Sequence, residues 1–506
     1  MKRLNILFSL LAVFTLLSLA ACSSDASIEE TDEGTENPET PENPATPVAS
    51  TFYTVDNIDD TYANVAGVAN VANWGPYNVH DPSIIKVGGI YYCYNTDVSF
   101  GSDVRPGIQV RKSEDLINWE WIGWAFSGLP AKGASFIQSK GGTPFQALWA
   151  PYVMQVDNEY RLYYSLSSPT GRLSVIGLAT SDSPEGPWIE KDLVVTSEPG
   201  GAIQTNAIDP SVVITPTGEH WFYYGSAYDG IYKLKLNPTT GLAANIGDKG
   251  NRIAQRGFTN GIINGNIEGP EVIYNADEQK YYMFIAYDWL QTKYNVRVGR
   301  SDTPEGPFFD FNGVDINTEI DNGPMILAPY RFDGHSGWQG VSHPGVFKDD
   351  DGQYYMAHQG RPGENSFYMV LHVRKIHWTE DGWPVVSPER YANVSQTAIT
   401  SEDLTGNYEQ VILGYQITPG FSDEQRNPDF QNSIGLRLNS DGSINDNTND
   451  LWSYNEPWLL LNFGDGAFID KLYVERGRDW ENRVESTILL SGLNNEGTAI
   501  WGKKID

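Results

Sequence analysis

The chain has 506 residues and a formal net charge of −31, a balance that excludes nucleic acid and anionic membrane surfaces as partners and favours a neutral or cationic substrate. A hydrophobic share of 40%, with 50 glycines and 29 prolines, describes a turn-rich globular protein and excludes a disordered or fibrous one. Only Cys22 and Cys93 are present, too few for a disulfide framework, so folding must rest on a core.

The first 22 residues, MKRLNILFSLLAVFTLLSLAAC, place Lys2 and Arg3 ahead of an uncharged apolar run, the order of an export signal. LAAC at 19–22 looks like a bacterial lipoprotein box. The likeness predicts a signal peptide over 1–21 and a lipid on Cys22, and with Cys22 acylated no intramolecular disulfide remains. Residues 22–50 follow as an acidic tether, rich in Asp, Glu, Pro, Thr and Ser and free of Lys and Arg, with almost nothing to bury. Its acidic run resembles signals that send some lipoproteins to the outer leaflet. The expected location is therefore the outer membrane, held through the lipid and exposed at the cell surface, with the protein a monomer.

Beyond the tether one pattern recurs. HDPSIIKVGGIYYCYN is echoed by WAPYVMQVDNEYRLYYS, IDPSVVITPTGEHWFYYG, EGPEVIYNADEQKYYMFI and SHPGVFKDDDGQYYMAH. Each passes from a proline through a short apolar strand and a polar turn to an aromatic strand, which is a hairpin signature. Pro82, Pro151, Pro210, Pro270 and Pro344 recur every 60 to 75 residues or so, the periodicity of a radial repeat. SDSPEGPW at 181–188 and SDTPEGPF at 301–308 form a second echo, placed as a loop before an outer strand. The repeats predict an all-β fold, a five-bladed β-propeller over 51–386, in preference to an irregular β-sandwich.

In a propeller the innermost strands begin at one rim of the central channel, so the residues before the five prolines converge on a funnel. They are His80 and Asp81, Trp149, Ile208 and Asp209, Glu268, and Ser342 and His343. Any one of them alone reads as a turn former. Three acids at corresponding places in three blades read as chemistry. Trp149 offers a flat face for a sugar ring, and Tyr228 and Trp289 are further rim aromatics suited to substrate contact. His343 taken alone reads as a hydrogen-bonded residue of the channel wall.

VHDPSI, LWAP, AIDPSVV with YYGSAYDGIYKLKL, and IEGPEV followed by YNVRVGRS together resemble glycoside hydrolase family 43, most closely its endo-α-1,5-L-arabinanases. The likeness implies an inverting glycosidase in which Asp81 is the base, Glu268 the acid, and Asp209 the third carboxylate that orients the acid and keeps its proton in place. Inversion requires the base and acid to stand roughly 6.5 to 9.5 Å apart, leaving room for water. The substrate implied is arabinan or its oligosaccharides. Exo-acting arabinofuranosidase or β-xylosidase activity on the same fold, and a non-catalytic glycan-binding propeller, are the alternatives. The resemblance also implies that His343 helps hold a calcium ion, largely through water, although GVSHPGV departs from the glycine-flanked histidine usual in that blade. GWPVVSPERYA at 382–392 resembles the junction to a C-terminal β-domain. Alternating runs such as SIGLRL and STILLSG predict a small β-barrel or β-sandwich over 387–506.

Overall fold

Alternate residues along each aromatic strand pack toward opposite neighbours, and this fixes the arrangement of the molecule. In Ile90–Asn95, Tyr92 and Tyr94 pack against Leu162 and Tyr164, whereas Tyr91 and Cys93 pack against Tyr355 and Ala357. Tyr163 meets Phe222 and Tyr224; Tyr223 meets Met283 and Ile285; Tyr282 and Phe284 meet Tyr354 and Met356. The partners form a closed cycle. A sheet covered on both faces needs apolar side chains on both, which explains why these strands carry no polar alternation. Each buried aromatic contributes roughly 1.5–3 kcal/mol.

The computed structural model describes residues 52–100, 103–414 and 417–506. The export signal, Cys22 and the whole acidic tether lie outside the described residues. Five sheets, each built on a four-stranded antiparallel blade, surround the channel. They begin with the strands Ser83–Val87, Trp149–Val156, Ser211–Ile214, Ile267–Asn275 and Trp338–Lys348, and each runs outward in chain order. The ring closes where Tyr77 bridges to Val370, with Leu371 N–H donating to Pro76 O at 2.8 Å and Asn78 N–H to Met369 O at 2.9 Å. SDSPEGPW and SDTPEGPF both lie between the third strand of a blade and the chain that follows it outward. Their Pro184 and Pro304 carbonyls accept from Tyr94 and Tyr223 of the preceding blades.

None of the repeated prolines is the first residue of its strand: Pro82 and Pro210 stand immediately before theirs. Pro151, Pro270 and Pro344 fall inside their strands, where the pairing shifts between Trp149 and Tyr152, Glu268 and Glu271, and Ser342 and Gly345. Such a bulge leaves a residue without a ladder bond, so a proline is accepted there and the strand bends.

Eight strands, from Gly406–Ile412 to Ala499–Lys504, form a closed barrel filled by Leu436, Leu438, Leu459, Leu461, Leu472 and Leu490, among others. The helix Ser401–Leu404 precedes it, started by a reciprocal cap between Thr400 and Asp403. Between the first two barrel strands the chain leaves the barrel and returns to the propeller. There Gln431–Asn432 pairs in parallel with Tyr330–Arg331, extending the fifth blade's sheet to six strands.

Candidate active site

The residue before each inner-strand proline has left-handed backbone: φ is 54° at Asp81, 33° at Ala150, 61° at Asp209, 57° at Gly269 and 57° at His343. Four of the five are not glycine, and a residue before proline is already restricted. The strand entry imposes this kink in every blade. Glu268 comes from the position one residue earlier, so it is offset from the slot that supplies Asp81 and Asp209.

Asp81 is buried, and its Oδ1 is approached by two imidazoles, His80 Nδ1 at 2.6 Å and His343 Nδ1 at 2.9 Å. Its Oδ2 accepts from Thr96 Oγ1 at 2.5 Å, and that hydroxyl in turn accepts from Ala150 N–H at 2.7 Å. Burial opposes ionisation of Asp81, but the charge of His343, then that of His80, and the hydrogen bonds of both outweigh it. The carboxyl is held well below the usual carboxylate range. His343 answers in the opposite sense. Burial pulls its pKa down, Asp81 pulls it up with help from Asp209 and Glu268, and the ring is pushed up to about 9.

Asp209 is buried as well. Its Oδ2 accepts from Gly269 N–H at 3.1 Å, and its own N–H donates to Ser165 Oγ at 3.1 Å. Burial pushes its carboxyl well above the usual range; His343 opposes this, and the negative charges of Glu268 and Asp81 add to it. The half-buried Glu268 accepts from Ser226 Oγ at 2.8 Å on one oxygen and from Tyr294 OH at 2.6 Å on the other. Gly269 makes this close assembly feasible, because a Cβ there would lie 2.9 Å from His343 Nδ1, and its φ already disfavours a side chain. The arrangement therefore combines an ionised carboxylate, a carboxyl reluctant to ionise, and a third acid that remains reachable from the funnel.

The four residues Asp81, Asp209, Glu268 and His343 thus form one network. Trp149 is half-buried and packs on Phe145 with ring centroids 5.1 Å apart; it is fixed by Asp97 Oδ2, which accepts Leu148 N–H at 2.8 Å. Tyr228 is 48% exposed, and the Arg172 guanidinium lies 5.8 Å from its ring. Trp289 is half-buried in the turn that leads to Tyr294. These three sit on the rim of successive blades without joining the carboxyl network. Sequence reasoning missed Thr96, Ser226 and Tyr294 as partners of the acids. Ser226 and Tyr294 lie in YYGSAYDG and YNVRVGRS, motifs that marked the region but not the contacts.

Two places bear on a cation. At His343, Nδ1 is engaged by Asp81, and Glu271 is buried close enough to feel its charge. These two groups are not ready ligands: His343, pushed up to about 9, carries a proton at neutral pH, and burial pushes the Glu271 carboxyl well above the usual range, so an ion here would have to be held through water. Elsewhere Glu389, Asp479 and Glu481 bring three carboxylates together. The Lys503 ammonium already sits among them, at 2.9, 2.8 and 2.8 Å, so this cluster is a buried ion-pair group joining barrel to propeller and not a metal site.

A propeller whose axis carries three carboxyls, one held ionised and one open to the funnel, defines a carbohydrate-cleaving enzyme of the two-carboxyl type. The chain matches the glycosyl hydrolases family 43 over residues 75–384 and a C-terminal lipocalin-like domain of that family over 388–502, and it belongs to family 43. It is 30% identical over 473 residues to the extracellular endo-α-(1→5)-L-arabinanase of Thermotoga petrophila, covering 85% of this chain and 94% of that protein. It is 28% identical to extracellular endo-α-(1→5)-L-arabinanase 2 of Bacillus subtilis, covering 84% and 93%. The crystal structure of the endo-1,5-α-L-arabinanase from Thermotoga petrophila superposes with a TM-score of 0.72 at 28% identity, over 86% of this chain and 99% of that one. A Cellvibrio cellulosa α-L-arabinanase complexed with arabinohexaose matches over 61% of this chain and 95% of that one, at 27% identity and a TM-score of 0.52.

Proposed function

We propose that the protein is an inverting endo-α-1,5-L-arabinanase. The observation that carries this reading is the axial network, in which Asp81 is kept ionised by two imidazoles while Glu268 stands half-exposed between Ser226 and Tyr294. In the reaction, Asp81 accepts a proton from a water molecule as the water oxygen bonds to the anomeric carbon. Glu268 gives its proton to the departing glycosidic oxygen, so one bond forms, one breaks, and the configuration inverts. Asp209 braces the acid by accepting the Gly269 N–H. Trp149, Tyr228 and Trp289 offer apolar faces to furanose rings along the rim.

The acceptance of internal linkages is supported by two relatives named as extracellular endo-arabinanases, which match 85% and 84% of this chain. Chain-length analysis of the earliest products from linear arabinan tests it. Mixed oligosaccharides are the expected outcome, and arabinose alone would overturn the endo reading. NMR of the first-formed anomer tests inversion.

Two further features belong to the same reading. A calcium ion near His343, reached through water, would add positive charge among the carboxyls; this rests on the family resemblance and on the three acids gathered there. Attachment to the outer membrane through a lipid on Cys22 rests on the LAAC motif and the acidic tether. It agrees with the extracellular placement of the two relatives. Membrane fractionation of Cys22→Ser tests it, and a variant that still pellets with the outer membrane would refute it.

A further inference from the structure

The stretch of chain that leaves the barrel after residue 413 inserts one wholly buried glutamine, Gln425, into the propeller. Gln425 Nε2 donates to Asp288 Oδ1 at 3.0 Å and to Thr418 O at 2.8 Å, and its backbone carbonyl accepts from Thr292 Oγ1. A side chain at Gly265 would stand 2.6 Å from Nε2, so the glycine opens the slot. A second tie pairs Lys293 with Asp429.

What Gln425 grips is the turn that carries Tyr294. Asp288 is fully buried; its Oδ2 accepts from Asn295 Nδ2 at 2.7 Å, and its N–H donates to Asn266 O at 3.0 Å, two residues before Glu268. Within the turn, Thr292 N–H and Tyr294 N–H both donate to Trp289 O, at 3.1 and 3.0 Å. Thr292 O accepts from Gly340 N–H at 2.8 Å. Tyr294 then ends on Glu268 Oε1 at 2.6 Å. The path from the barrel-borne loop to the acid is continuous: Gln425, the Asp288–Tyr294 turn, the Tyr294 hydroxyl, Glu268.

We infer that Gln425 is a positioning residue for the general acid, so that the C-terminal domain supplies a part of the active site through its 417–430 loop. The inference rests on Glu268 being the acid. A phenol placed by a turn that is clamped from another domain holds the carboxyl in one orientation, and misplacement of such a group by about 1 Å costs up to roughly 100-fold. Truncating Gln425 to alanine removes the Nε2–Asp288 bond and the packing that holds the loop in its slot, while Thr292→Val removes the bond to the Gln425 carbonyl.

The test uses the full chain and two substrates, linear arabinan and a 2,4-dinitrophenyl α-1,5-L-arabinobioside. The dinitrophenolate departs without a proton, so a defect confined to the acid disappears on it. Gln425→Ala is expected to lose about 10- to 100-fold in kcat on arabinan with KM little changed, and less than about threefold on the activated glycoside. Adding Gln425→Ala to Tyr294→Phe should cost little beyond Tyr294→Phe alone, because both act on one contact. Equal losses on the two substrates, no loss on either, or effects that multiply in the double variant would each overturn the inference. Thr292→Val, isosteric and lacking only the hydroxyl, carries the same comparison should Gln425→Ala not fold. Glu268→Gln is run alongside. If that variant shows no leaving-group dependence, the assignment of the acid fails, and this is a different result from failure of Gln425 alone.

Discussion

Replacing Asp81 with Asn removes one negative charge from the centre of the site while keeping its shape, and the structure says what should follow. The amide oxygen can still accept from Thr96, which preserves the tie to Ala150 and to the tryptophan beside it. The amide nitrogen can face His343 Nδ1, provided that ring becomes neutral. His343 is pushed up to about 9 from an ordinary 6.5 because Asp81 overcomes the opposing effect of burial. That net rise of 2.5 is worth about 3 kcal/mol after the opposing effect of burial is subtracted, so the attraction of the three acids together, Asp81 foremost, exceeds it. Without Asp81 the pKa of His343 should fall well below 9, since burial is then opposed only by Asp209 and Glu268. Two measurements on metal-stripped protein check this: the imidazole titration of His343 followed by NMR, and the rate on linear arabinan. Activity should fall by about 10²- to 10⁴-fold, the span a positioned base contributes. Circular dichroism should remain that of the folded protein. A His343 titration still near pH 9, or more than about one hundredth of the activity retained, would refute the assignment of Asp81 as the ionised base.

Gly269→Ala places a methyl 2.9 Å from His343 Nδ1 at a φ of 57°, and we expect at least a tenfold loss of activity together with about 1–3 kcal/mol of stability, read by hydrolysis assay and denaturant unfolding. Glu475 links the barrel to Lys375 at 2.9 Å; burial raises its pKa, but His377 and then Lys375 outweigh this and lower it from 4.5 to about 2. The unfolded chain therefore takes up this proton first as pH falls. Glu475→Gln should be less stable than the parent by about 3 kcal/mol at neutral pH, with the gap closing between pH 4.5 and about 2; a gap independent of pH would remove Glu475 from the acid response. Exhaustive chelation should lower the rate while leaving the unfolding temperature little changed, and active protein free of metal by elemental analysis would dispose of the calcium at His343.

The propeller was legible because its cause is local. A buried two-faced strand demands aromatic and aliphatic residues at successive positions, and IYYCYN, HWFYY and KYYMFIAY display that demand openly. The five prolines mark where each such sheet begins, so the three acids could be located from spacing alone. Glu268 was found in the same way although it occupies the position before the slot used by Asp81 and Asp209. Tyr294 was not legible as a partner of Glu268. Its reach depends on how a turn is folded, and that turn is held by a glutamine 131 residues further along the chain. The Lys503 cluster was hidden for a like reason, since its carboxylates come from Glu389 at the domain junction and from Asp479 and Glu481 in the barrel. Contacts between distant segments leave no period and no motif.

The kinked residue before each proline is open to two explanations: strain kept for catalysis, or a bend the architecture requires. Ala150 separates them. It has no group that could take part in chemistry, yet its φ of 33° is as left-handed in sense as that of Asp81, Asp209 and His343. The kink is therefore a property of how an inner strand enters a blade, and each non-glycine residue held there costs about 1–3 kcal/mol whether or not it reacts. The ring packing meets that cost in every blade. Chemistry is then a matter of which side chain occupies a position the fold already aims: a carboxylate in two blades, an imidazole in a third, a glycine in the fourth so that Glu268 beside it can lie close to the imidazole, and an alanine in the blade where the neighbouring tryptophan faces the funnel rim. On this argument the site is an arrangement of five variants of one backbone feature, and exchanging a side chain in one slot should alter the reaction far more than it alters the propeller.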